Sequence, residues 1–216
     1  MHWVVLNVAY PFAPVGPDAV GGAGQIVTQL DIALVRAGHD SIVMACEGSV
    51  TEGILLATER PSGVLDEAER HRVYDQYRFT LRKFLEKWPI DLIHMHGLDF
   101  YEYLPPAGIP VLVTLHWPGD SYPEKVFHLE RPQTFLQFAS ASQRSACPDC
   151  NNLLPDLEGP SVPELAKDVS RTTTRARFRP PPIIDRYLAV YERLVNEARA
   201  VEQPASEPAA ISAPGG

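Results

Sequence analysis

The chain has 216 residues, 45% of them hydrophobic, enough to bury one substantial core. Its formal net charge is −8 and no cluster of Lys or Arg stands out, which disfavours nucleic acid and anionic membranes as partners. No apolar run approaches the roughly eighteen residues of a membrane span, and no signal peptide precedes the first strand-like run.

Trp3 to Tyr10 (WVVLNVAY) is predicted as a first buried strand, followed by a long Pro- and Gly-rich loop from Pro11 to Gly24. Gln25 to Ala37 carries apolar residues at Ile26, Leu30, Ile32, Ala33 and Leu34, approximating one helical face, and Gly38 closes it as a C-cap. Ser41 to Ala45 is a second strand, and Gly53 to Ala57 a third. Leu65 to Lys87 is a long charged amphipathic helix with Val73, Tyr77, Leu81, Phe84 and Leu85 on one side, ended by Trp88-Pro89.

Two brief apolar runs then stop at histidines. Asp91-Leu-Ile-His-Met-His-Gly97 is the first, and Val111-Leu-Val-Thr-Leu-His116-Trp-Pro-Gly119 the second. Each has the pattern of a strand buried on both faces of a parallel sheet. Tyr101 to Pro105 reads as a short helical or turn connection between them, Gln137 to Ala141 as a further strand, and Gln143-Arg144 as the start of a short helix. Strands alternating with helices imply right-handed β-α-β units: an α/β, Rossmann-like domain with a mostly parallel sheet flanked by helices. The domain is expected over 1–158, a linker over 159–182, a helix over 183–202 and a disordered Pro/Ala/Ser/Gly-rich tail over 203–216. In that last helix Ile184, Leu188, Tyr191, Leu194 and Val195 form the apolar stripe.

Ligands of such sheets sit outside the carboxyl ends of the strands, where these histidines fall. Gly21-Gly22-Ala23-Gly24 lies at the start of the first helix, where unpaired N–H groups and a partial positive charge suit a phosphate or sugar diphosphate; a flexible turn is the alternative. The Pro-rich loop between strand and glycines argues against a GxGxxG dinucleotide fingerprint. His94 reads as a core histidine, whereas His116, followed by Trp117-Pro118-Gly119, can reach a sugar hydroxyl or a phosphate. Asp99 and Asp120, in the loops after the two strands, are candidate proton acceptors or plain turn residues. His94, His96 and His116 lack a fourth partner at ligand spacing, so no metal is expected. Cys147-Pro-Asp-Cys150 is a lone CxxC, without the second pair that zinc needs or the helix-start context of a redox pair. With only Cys46 besides, an odd cysteine count suggests no disulfide framework and a reducing cytoplasm.

Taken together, residues 10–40, DLIHMHG (91–97), VLVTLHWPG (111–119) and the segment 138–144 resemble the N-terminal, acceptor-side domain of GT-B glycosyltransferases of the family 4 type. The resemblance implies one half of a GT-B fold. It places Gly21 and Gly22, with Gly24 in the same loop, against the donor diphosphate, His116 beside the transferred sugar, and His96 near the acceptor, with Asp99 and Asp120 as further acceptor-side candidates. It implies a nucleotide-sugar donor, a carbohydrate or other hydroxyl acceptor, retention of configuration, and no cofactor or metal.

The family continues into a second domain of similar size, which carries the nucleotide pocket. Here roughly sixty residues follow Leu154, too few for a second Rossmann unit, and the final helix resembles the family's closing helix. The expectation is therefore a glycosyltransferase half with weak or no activity alone. The rival is a non-catalytic binding or assembly protein that pairs with a separate donor-domain chain or with itself; a nucleotide-binding Rossmann protein of another class is a more distant one.

Overall fold

The computed structural model describes residues 1–61, 63–139, 143–144, 147–148, 150, 152–154 and 182–202. Six strands form one sheet: β1 (Val4–Val8), β2 (Asp40–Cys46), β3 (Ile54–Thr58), β4 (Leu92–Met95), β5 (Val111–Leu115) and β6 (Thr134–Phe138). Their order is β3-β2-β1-β4-β5-β6, and every pairing is parallel. The order reverses between β1 and β4, so a crevice opens at their carboxyl ends.

Successive side chains of a strand point to opposite faces, and the strands sort their residues accordingly. Leu6, Val8, Ile93, Met95, Val111 and Val113 pack under α2 (Glu67–Leu85), which contributes Val73, Tyr77 and Leu81. Asp66 caps that helix by accepting a hydrogen bond from the Glu69 N–H at 2.8 Å. On the opposite face Val5, Leu92 and Leu112 meet α1 (Gly22–Arg36) and α3 (Pro182–Glu202). The buried stripe of α3 runs through Ile184, Tyr187, Tyr191, Leu194 and Val195. Tyr187 is 1% exposed, while Leu188, which the sequence places on the stripe, is only partly covered. An ion pair between Arg199 and Asp91, 2.6 Å apart, fixes the far end of α3 to the start of β4.

Several expected boundaries move. Helix α1 begins at Gly22 rather than Gln25, so the glycines form its first turn instead of a preceding loop. Strand β6 covers Thr134–Phe138, three residues before the expected 137–141, because Gln133, with φ 51°, turns the chain into the sheet immediately after Pro132. The short connection after β4 is a 3-10 turn at Phe100–Glu102. Gln143 and Arg144 are helical; Ser140, Ala141 and the 203–216 tail lie outside the described residues, as does the expected 159–182 linker except Pro182, which opens α3.

No helix separates β2 from β3, contrary to the alternating pattern. The connection is held by Asp31 of α1, buried beneath it. Its carboxylate accepts from the Ser41 hydroxyl at 2.6 Å and from the backbone N–H of Glu52 at 2.6 Å and of Gly53 at 3.2 Å. A Cβ on Gly53 would lie 2.3 Å from the Ser41 carbonyl oxygen, so only glycine fits there. Asp31→Ala leaves these donors without an acceptor and is expected to cost about 3 kcal/mol of stability. Urea unfolding checks this; an unchanged midpoint would show that the connection holds without the carboxylate.

Candidate functional site

The site grows from three strand ends and one helix start. The peptide after β1, the loop 11–21 and the first turn of α1 form one side. His96, one residue past β4, and His116, one residue past β5, form the other. They enclose a cavity of about 280 Å³ bordered by Tyr10, Gly21, Gly22, Gly24, His96 and His116, with Trp117 at its rim. Five of the residues singled out in the sequence thus share one hollow.

Gly21 is the N-cap of α1, with φ 96° and ψ 156°, a conformation that glycine adopts without strain. No side chain caps the helix. Its first N–H groups have no intrahelical acceptor, which leaves donors and the positive end of the helix dipole beside the cavity. Gly24 is needed for closeness rather than conformation: a Cβ there would stand 3.0 Å from the Ala19 methyl in the packed loop. Thr28 ties that loop to the helix through its hydroxyl, 3.1 Å from both the N–H and the carbonyl oxygen of Gly16.

The histidines are a coupled set. His96 Nδ1 lies 3.1 Å from His116 Nε2, with the rings stacked at 26° and centroids 5.4 Å apart. His94 is a core histidine, 0% exposed, 2.5 Å from the Tyr191 hydroxyl and 2.8 Å from Thr114 Oγ1. Burial pushes the imidazoles of His94 and His96 well below the ordinary range, and that of His116 down to about 3. All three rings are neutral at pH 7. His96 and His116 therefore line the cavity as uncharged rings, while His94 stays behind it in the core.

The two candidate aspartates are elsewhere. Asp99 is buried beside α2, where its Oδ1 accepts from the Tyr103 hydroxyl at 2.8 Å. Burial raises its pKa, and hydrogen bonds from Tyr103 and Tyr74 partly oppose this. Gly97 makes room for that pair, since a Cβ there would overlap the Tyr103 hydroxyl. Asp120 is exposed in the 3-10 turn Gly119–Ser121. Neither carboxylate borders the cavity, because β4 and β5 release them into loops that leave toward α2 and solvent. Among the described residues no group of three or more His, Cys, Asp or Glu could hold a metal, and no helix is long and apolar enough to cross a membrane.

Sequence reasoning missed four contributors. Tyr10 and Trp117 border the cavity, and Asn7 and Tyr191 stand behind its histidines. Asn7 was visible in principle, as the one polar residue inside the apolar run of β1.

The chain belongs to Glycosyltransferase Family 4, whose family model matches residues 20–154. Among solved structures it is similar to AviGT4, a glycosyltransferase involved in avilamycin A biosynthesis, with 18% identity over 71% of this chain and 41% of that one, and a TM-score of 0.41. It is also similar to sucrose-phosphate synthase from Thermosynechococcus elongatus, with 15% identity, 71% and 48% coverage and a TM-score of 0.46. A third is MurG of Acinetobacter baumannii, with 14% identity, 73% and 43% coverage and a TM-score of 0.41. The chain spans less than half the length of each of these three. No curated protein matches it.

Proposed function

We propose that this chain is the acceptor-side half of a glycosyltransferase that moves a sugar from a nucleotide-sugar donor to an acceptor hydroxyl, with retention and without a metal. One observation carries the reading: the glycine-rich start of α1 and the paired histidines of β4 and β5 border a single cavity at the topological switch point of the sheet. In this reading the free N–H groups of the first helical turn stabilise the diphosphate as negative charge develops on it during departure. His116 contacts the transferred sugar, and His96 holds His116 in place. With Asp99 turned toward Tyr103, we assign it to shaping the loop beside the acceptor rather than to contact with it.

Transfer depends on holding donor and acceptor together in a closed, dry cleft. The described residues hold one Rossmann-like unit, and in this reading transfer by that unit without an opposite, donor-binding wall is slow. We place this chemistry in the cytoplasm, the compartment expected from the cysteine usage.

Calorimetric titration of the purified chain with a panel of nucleotide sugars tests the proposal. Saturable binding of at least one is expected; no binding by any would remove it. Gly21→Val forces a side chain into a left-handed conformation and turns the helix start away from the cavity. It is expected to weaken that binding about tenfold, ~1.4 kcal/mol, and to lower the melting temperature by a few degrees. Equal affinity in the variant would take the glycines out of the donor site.

A further inference from the structure

A chain of polar side chains crosses the interface between the sheet and α3 and ends at the cavity. The Tyr187 hydroxyl is 3.2 Å from Thr114 Oγ1, which is 2.8 Å from His94 Nε2. His94 Nδ1 is 2.5 Å from the Tyr191 hydroxyl, and that hydroxyl is 3.4 Å from Asn7 Oδ1. Asn7 Oδ1 is also 3.4 Å from His96 Nε2, and His96 Nδ1 is 3.1 Å from His116 Nε2. The last atom, His116 Nδ1, is shut off from solvent and has no hydrogen-bond partner among the described residues.

The directions of the contacts nearest the cavity follow from Asn7, whose Oδ1 faces both Tyr191 and His96 and whose Nδ2 has no partner among the described residues. Its Oδ1 is a carbonyl oxygen and can only accept. His96 Nε2 must therefore carry the proton in that contact. Burial keeps His96 neutral, so its Nδ1 is bare and accepts from His116 Nε2. His116 is neutral as well, and its one ring proton is now placed on Nε2. In the other direction Tyr191 donates its single proton to Asn7 Oδ1, and its oxygen takes the Nδ1 proton of His94. One neutral tautomer of His96 and one of His116 satisfy the contacts that run from Asn7 to the cavity.

We propose that Asn7 on β1 and Tyr191 on α3 are positioning residues that set the tautomer of His116, leaving a lone pair rather than a proton on the Nδ1 of this cavity-lining ring. The ring then has no proton to give a phosphate oxygen, because its one proton is engaged with His96 and its bare Nδ1 is shut off from solvent. That consequence rests on the glycosyl-transfer reading; the tautomer does not. Tyr191 thereby joins a helix near the end of the chain to the chemistry of a pocket built by its first half.

Proton–nitrogen correlation spectra of the full chain labelled with ¹⁵N-histidine test the assignment, because a bare ring nitrogen and a protonated one resonate far apart. The His116 signals are identified by their loss in His116→Gln. At pH 7.5 the expected pattern for His116 is a bare Nδ1 and a protonated Nε2. In Asn7→Leu the ring loses its instruction, both tautomers are populated, and the two nitrogen shifts converge toward their mean. Tyr191→Phe, which keeps the ring packed and removes only the hydroxyl, moves them the same way by a smaller amount. A protonated Nδ1 in the wild-type protein overturns the proposal whether or not any variant folds. Unchanged His116 shifts in a folded Asn7→Leu or Tyr191→Phe overturn it too. If nucleotide sugars fail to bind while the expected tautomer is found, the functional reading falls and the positioning role stands.

Discussion

Lowering the pH from 7 toward 4 is expected to destabilise this protein steadily, beginning before most of its carboxylates are titrated. His94, His96 and His116 are held neutral by burial, with the pKa of His116 down to about 3 and the other two also depressed. In the unfolded chain each returns to about 6.5 and binds a proton that the folded protein refuses. Unfolding therefore takes up protons, and stability falls as the pH drops below about 6.5, continuing down toward the folded values. Each such histidine contributes a slope of about 1.4 kcal/mol per pH unit once its unfolded form is charged, and three acting together about 4 kcal/mol per unit. Against a typical total of 5–15 kcal/mol, roughly 1–4 pH units exhaust the margin. Circular dichroism melts at half-unit steps from pH 7.5 to 4 give the check. A melting temperature that stays level from pH 7 to 5 would mean that the rings take up protons without leaving their places.

The second large effect concerns Tyr191. Its ring is buried between α3 and the sheet, and its hydroxyl serves His94 and Asn7 at once. Tyr191→Ala removes an aromatic side chain from a close-packed site and strands two polar groups that water cannot reach. The cavity alone is worth about 3–5 kcal/mol, and each orphaned group about 1–3 kcal/mol more. The variant is expected to be mostly unfolded at 37 °C, while Tyr191→Phe loses only the hydroxyl contribution. Chemical denaturation of both variants separates the packing from the hydrogen bonding. Equal losses in the two would assign the whole effect to the hydroxyl.

The parts of this structure that were legible in the sequence are those written in local periodicity. The buried runs WVVLNVAY and VLVTL, the stripe of α2 and the helix at the end of the chain are each recorded in the spacing of their own residues. Boundaries set by distant contacts were less visible. Thr134 and Phe135 enter β6 because β5 offers them partners at Val111 and Leu112, and nothing in their own neighbourhood announces it. The β2–β3 connection needs no helix because Asp31, on a different element, holds it. At the site, Gly21, Gly22 and His116 could be picked out because their positions at a helix start and a strand end carry a chemical meaning of their own. Asp99 could not be placed, since a carboxylate in a loop is equally suited to a ligand or to Tyr103, and only packing decides. Asn7 and Tyr191 are linked by no sequence pattern at all.

The bond between Tyr191 and Asn7 spans 184 positions of the chain. A protein leaves the ribosome from its amino end, so all the strands are made before the helix that completes the face they present. Until then His94 and Asn7 sit in a half-covered layer without the hydroxyl they share. The pocket is consequently among the last features to mature in the nascent polypeptide.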